Sequence, residues 1–249
     1  MTDLYPVTAV ATGVLGLAAG VLVPRLIAWI PEPVPEEPGP AEEGEGTEPE
    51  AETPERPKEL YADIAARPGL VWKAALASGV SAAALGLVFG WNLSLLVVLP
   101  LVPVSVALSV IDWRTRMLPT RLIAPAYAVT VLAILVVWVV GERDPHDLVR
   151  TGLGWLVYGG MFFLLWFVYP RGLGYGDVRL SGVLGLALGW LGWAELLLGI
   201  WMGLLLGGVL GALVALVLRR RDNPFGPFML LGALVGIVLG PLVTANYYG

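Results

Sequence analysis

Residues 93–111 read LSLLVVLPLVPVSVALSVI, nineteen residues without a charge, and the charges begin at once in Asp112-Trp-Arg114-Thr-Arg116. A helix needs about 20 predominantly apolar residues to cross the hydrocarbon core of a bilayer. This stretch meets that length. The same pattern recurs along the chain, with apolar segments at approximately 5–30, 70–90, 93–111, 120–140, 149–168, 178–191, 194–218 and 226–246. The expected fold is all-α, a polytopic transmembrane helical bundle of about eight spans. Composition agrees: 57% of the 249 residues are hydrophobic and 14% charged, with a mean hydropathy of +0.78. A soluble domain of this size could not bury that much apolar surface. Segment 5–30 resembles a signal peptide in length, but Met1 to Pro6 carries Asp3 and no Lys or Arg. Without a basic leading region it reads as a retained helix.

The charge is unevenly placed. Pro31 to Glu59 holds eleven Glu, eight Pro and only Arg56 and Lys58 as basic residues. That segment carries −9 of a chain total of −5, which leaves +4 for the rest. It has no apolar periodicity and repels itself, so a disordered, extended linker is expected. The domain reading follows: residues 1–30 as a first transmembrane helix, 31–69 as the acidic linker with a short surface helix over 60–70, and 70–249 as the membrane domain. The acidic balance belongs to one segment and implies no nucleic-acid partner. With eight spans, thirteen basic residues fall on one side, among them Arg25, Arg67, Lys73, Arg114, Arg116, Arg121, Arg171 and Arg179. The other side has Arg143 and Arg150. This bias predicts the first side in the cytoplasm and both termini outside.

The absence of Cys removes disulfides, thiol nucleophiles and thiolate metal sites. The single histidine, His146, lies in a polar loop. Acid–base chemistry therefore falls to carboxylates, and no metal or cofactor is expected. Ionisable groups at a span end each need a reason. Glu195 opens the seventh segment and reads as an interfacial residue near a helix N-terminus. Asp112 closes the third, and Asp177 opens the sixth in Arg171-Gly-Leu-Gly-Tyr-Gly-Asp-Val-Arg-Leu-Ser. Taken singly, Asp112 could be a solvated residue where a helix leaves the bilayer, and Asp177 an N-cap. Taken together, at one depth, they fit a catalytic pair. Two close carboxyls cannot both ionise cheaply and share a proton, so one serves as base and the other as acid. Gly174 and Gly176 free the backbone before Asp177 for close approach. The basic loop 112–120 leaves open whether the pair is assembled without substrate. Elsewhere, Gly199, Gly203, Gly207 and Gly211 repeat every four residues, as do Gly232, Gly236 and Gly240. These stripes read as helix contact faces.

At these residues the chain resembles the prepilin peptidases, or type IV leader peptidases. They belong to the wider Gly-x-Gly-Asp intramembrane aspartic proteases, which include presenilin and archaeal preflagellin peptidases. The matching stretches are Asp112 through Leu118-Pro119, then Gly172-Leu-Gly-Tyr-Gly-Asp-Val-Arg-Leu, then Asn223-Pro-Phe-Gly-Pro-Phe. They cover about residue 70 to the C-terminus. The resemblance implies Asp112 and Asp177 as the catalytic aspartates, with Gly174, Gly176, Leu118 and Pro119 as supporting motif residues. Arg179 stands where the family usually has Lys. It also implies prepilin or pseudopilin substrates, cut after glycine behind a basic leader at the cytoplasmic face of a bacterial inner membrane. Many members carry paired Cys-x-x-Cys motifs between the first two spans and methylate the new terminus with S-adenosylmethionine. Here that position holds the Pro/Glu segment, so cleavage is expected and methyltransferase activity is not. Two other classes fit parts of the pattern. A small proton- or cation-coupled transporter would use the same aspartates but predicts charges deeper in the bilayer. An inactive pilus assembly factor would keep the fold without the reaction.

Overall fold

The computed structural model describes residues 4–32, 59–141, 144–170, 172–211, 213, 217 and 224–248. The expected acidic linker falls mainly on residues 33–58, outside the described residues. Among the described residues the chain is helical with no strand. The helices are α1 (Pro6–Gly20), α2 (Val23–Ala28), α3 (Tyr61–Ala65), α4 (Leu70–Phe89), α5 (Leu95–Val98), α6 (Leu101–Thr115), α7 (Thr120–Val140), α8 (Pro145–Val168), α9 (Tyr175–Leu191), α10 (Trp193–Leu205) and α11 (Gly226–Tyr248). A π-helical turn, Leu206–Leu210, continues α10.

Six helical stretches are long and apolar enough to cross a membrane: Pro6–Ala28, Leu70–Phe89, Leu95–Thr115, Thr120–Val140, Pro145–Val168 and Gly226–Ala245. The stretches at 175–191 and 193–209 are apolar but shorter. Each of the eight expected segments is helical among its described residues, apart from segment ends and the breaks at Val21–Leu22 and Leu99–Pro100, and the chain is a multi-pass membrane protein. Outward faces carry Val7, Val10, Trp72, Val80, Leu132 and Leu164 exposed. In water such surface would drive aggregation, whereas lipid solvates it.

Prolines punctuate the spans. Pro100 separates α5 from α6 and Pro24 opens α2 after a break at Val21–Leu22; each lacks the N–H that would continue a helix ladder. Pro145 occupies the first position of α8, and the Asp144 side chain caps that helix by accepting the His146 N–H. At the other end of the molecule Glu32 accepts the N–H groups of Tyr61 and Ala62, both at 2.8 Å. That bond pins α3, whose buried Tyr61 and Ile64 belong to the same core as Val23 and Ile27 of α2. The short helix expected over 60–70 is therefore a single turn, docked through its apolar side.

Glycine faces set three helix pairs. A Cβ on Gly16 of α1 would lie 2.5 Å from the Ser78 carbonyl of α4, and one on Gly154 of α8 would lie 2.5 Å from the Gly185 carbonyl of α9. The stripes on α10 and α11 face one another. Gly232 abuts the Gly203 backbone, and a Cβ on Gly236 would lie 2.8 Å from the Glu195 carbonyl. Association in lipid relies on such close backbone contact. The stripes are thus contact surfaces within the chain. Glu195 departs from its expected interfacial place: it is buried, because Gly240 of α11 and Gly192 leave room for its side chain.

Candidate active site

Both singled-out aspartates lie one turn further inside a helix than hydropathy predicts. The apolar run ends at Ile111, yet α6 continues through Thr115 and closes at Arg116 in the left-handed conformation (φ 54°). The Arg116 N–H donates to the Asp112 carbonyl at 2.9 Å. Thr115 Oγ1 donates to the Ile111 carbonyl, which satisfies another terminal group. Asp112 is therefore a buried helical residue, 4% exposed, and not a solvated one. Burial against the start of α11 lets an acidic residue sit where hydropathy alone would end the span.

Asp177 is also buried, at 7% exposure. It is the third residue of α9, and Gly174 is the N-cap. The Asp177 Oδ2 accepts the Gly174 N–H at 3.2 Å. This is the reaching-back half of a capping box, which ties up one orphan donor of the helix start. Asp177 thus caps from inside the helix and does not stand at the N-cap itself.

Two glycines and one leucine bring the carboxyls to a common junction. The Gly226 N–H, at the first residue of α11, donates to Asp112 Oδ2 at 2.9 Å in a buried bond. A Cβ on Gly226 would lie 2.8 Å from that oxygen and 3.4 Å from Leu118 Cδ2. A Cβ on Gly176, the residue before Asp177, would lie 2.7 Å from Leu118 Cβ. Leu118 is thus wedged between the starts of α9 and α11. The connection between α6 and α7 is only Arg116–Pro119, with Pro119 as the N-cap of α7. Leu118 of this short turn packs against Gly176 and Gly226 at the starts of α9 and α11. Asp177 Oδ1 is buried and has no hydrogen-bond partner, so each aspartate keeps acceptor capacity beyond its single backbone bond.

Arg179 sits one step outward. It donates to Thr120 Oγ1, at the first residue of α7, and its guanidinium carbon lies 4.6 Å over the Tyr175 ring. It clamps α7 to α9 and does not contact either carboxylate through a hydrogen bond described here. Gly174, Gly176, Leu118 and both aspartates lie at these helix ends, and Pro119 is the N-cap of α7. Asn223 lies outside the described residues. Two contributors were not singled out from the sequence. Gly226 stood in a matching stretch, but only the fold reveals its N–H as the group holding Asp112. Tyr158 of α8 is fully buried and its hydroxyl has no partner. Its ring belongs to a column with Phe162 at 5.3 Å, which in turn meets Phe225 at 5.7 Å, just before Gly226. A tyrosine within an apolar span was the available signal, and it is indistinguishable in sequence from a core aromatic. Among the described residues no group of three or more His, Cys, Asp or Glu is placed to hold a metal ion.

Comparison with known proteins places this junction in context. The type IV leader peptidase family matches residues 99–216. The prepilin leader peptidase/N-methyltransferase of Escherichia coli K12 is 36% identical over 148 residues, which is 56% of this chain and 60% of that protein. The protein of the same name from Pseudomonas putida is 32% identical over 180 residues, 67% of this chain and 59% of the relative. A further relative from Aeromonas hydrophila is 31% identical over 172 residues. The chain spans about three fifths of the length of the first two relatives. No solved structure matches the chain.

Proposed function

We propose, from the match of residues 99–216 to the type IV leader peptidase family, that the chain is an aspartic endopeptidase with Asp112 and Asp177 as its catalytic pair. The observation that carries the reading is the buried junction itself. Two buried carboxyls from different helices each accept one backbone N–H from a glycine, at helix starts that Leu118 bridges. Aspartates without a catalytic or structural role are rare in such a place, because an ionisable group inside a membrane protein is expensive.

The mechanism follows from sharing one proton. The ionised carboxylate takes a proton from a water molecule as its oxygen attacks the scissile carbonyl carbon. The protonated partner gives its proton to the carbonyl oxygen. The tetrahedral diol then collapses: the second carboxylate takes back a hydroxyl proton as the C–N bond breaks, and the amine leaves with the proton held by the first carboxyl. Neither a metal nor a covalent intermediate takes part. Gly226 and Gly174 hold the two acids in register through their N–H groups, which leaves one oxygen of each free for water and substrate. Pre-set geometry of this kind accounts for a large share of rate acceleration.

The substrate class in this reading is a prepilin or pseudopilin, cut at the membrane boundary between a basic leader and an apolar stem. The relatives' names include N-methyltransferase. Our reading is limited to cleavage, because residues 31–59 contain no cysteine and the chain overlaps only part of those relatives. The basic ends of the spans face the cytoplasm and the termini face outward. The membrane domain from residue 70 carries the activity.

The test is co-expression with candidate prepilins, following leader loss by gel shift, for the wild type and for Asp112→Asn and Asp177→Asn. Asn keeps the acceptor for the Gly226 or Gly174 N–H, so both variants should insert and fold. Each should leave the precursor uncut. Full cleavage by either variant would overturn the pair.

A further inference from the structure

A cavity of about 650 Å³ lies between α4, α6, α9 and α11, and neither aspartate is among its lining residues. Its wall is apolar, with Leu85, Val102, Leu188 and Leu234 among the lining side chains. Its mouth is basic: Arg67, Lys73 and Arg114 line it at one end of the spans. Arg67 is already paired with Glu59. Among the described residues, Lys73 and Arg114 have no carboxylate partner in an ion pair, and both are exposed.

The cavity reaches from Lys73 to Leu85 along α4, roughly 18 Å at 1.5 Å per residue. That is close to the depth of one leaflet, half of a hydrocarbon core about 30 Å thick. Flexible acyl chains can lie along an apolar wall of this length. A basic leader would meet charges of its own sign at the mouth. Basic pockets between membrane helices are a recognised way of holding acidic headgroups.

We propose that this cavity is a binding site for an anionic phospholipid, with Lys73 and Arg114 on its phosphate and its acyl chains against the apolar wall. The proposal does not depend on the peptidase reading. The lipid's role is to fill the seam between α4 and α11 along α6, and so to brace the helix that carries Asp112.

The experiment uses the full chain purified in mild detergent. Native mass spectrometry would measure retention of dioleoyl phosphatidylglycerol against dioleoyl phosphatidylethanolamine, with a thermal-shift titration of each lipid. The expected result is about tenfold preference for phosphatidylglycerol, as two basic side chains at an acidic headgroup supply, together with a raised melting temperature. Lys73→Gln with Arg114→Gln should abolish the preference while leaving the fold intact, since both side chains are exposed. Ser81→Phe, which fills the wall, should lower retention of both lipids. Inorganic phosphate should not compete. Equal retention of the two lipids by the wild type would overturn the proposal, as would an undiminished preference in the double variant. Displacement of the lipid by a synthetic prepilin stem peptide would also overturn it, because the cavity would then belong to the substrate.

Discussion

Replacing Gly226 by Ala tests the candidate site at its tightest point. The added methyl would lie 2.8 Å from Asp112 Oδ2, about 0.6 Å inside ordinary contact. The backbone at Gly226 carries no positive φ, and Ala is favoured over Gly in a helix by up to ~1 kcal/mol. Folding should therefore survive, and the strain falls on the Asp112 carboxyl. Its bond from the Gly226 N–H is 2.9 Å long and buried. Hydrogen bonds to charged groups contribute about 1.5–3 kcal/mol, which corresponds to roughly 10- to 150-fold in rate. A displacement approaching 1 Å at a reacting group costs about 100-fold by a separate line of reasoning. Both routes put the loss in kcat/KM for leader cleavage at about 10- to 100-fold. The assay is a time course with purified protein and a fluorogenic prepilin peptide, alongside membrane yield and a thermal melt. A Gly226→Ala protein that cleaves within twofold of wild type would refute the placement of Asp112 as a positioned catalytic group.

Three further outcomes follow from the same contacts. Gly232→Leu should be lost from the membrane fraction on quantitative blotting, because its side chain would enter the Gly203 backbone, whereas Gly208→Leu, which has nothing within 4 Å, should accumulate normally. Tyr158→Phe removes a buried hydroxyl that has no partner and should stabilise the protein by about 1 kcal/mol; a lower melting temperature would mean that the hydroxyl is bonded in the folded protein. Arg179→Lys should keep a bond to Thr120 but lose the stacking on Tyr175, worth about 0.5–1 kcal/mol, so the melting point should fall by about 1–4 °C with cleavage retained; a tenfold loss of activity would show that the guanidinium does more than clamp α7.

Much of the architecture was written in local sequence. A bilayer span is specified by length and apolarity, which are one-dimensional properties, so residues 93–111 and their seven counterparts could be located directly. The glycine stripes were equally legible, because a four-residue repeat puts small residues on one helix face whatever the partner is. Hydropathy misjudged the span ends that matter most. It stopped the third span at Ile111 and began the sixth at Val178, since an acidic residue reads as solvent. In the fold those acids are buried by α11 and by the helix start at Gly174, so the helices run on through them.

The sequence by itself determined the helical membrane class and the candidate carboxylates, because chain periodicity and residue chemistry decide those. Only the tertiary structure decided that the Gly226 N–H holds Asp112, that Leu118 joins the starts of α9 and α11, and that Glu195 is buried beneath Gly240. These contacts join residues far apart in the chain, 114 positions in the case of Gly226 and Asp112. No local pattern encodes such a pairing. It arises when glycine faces let helices approach until one backbone N–H meets one carboxylate.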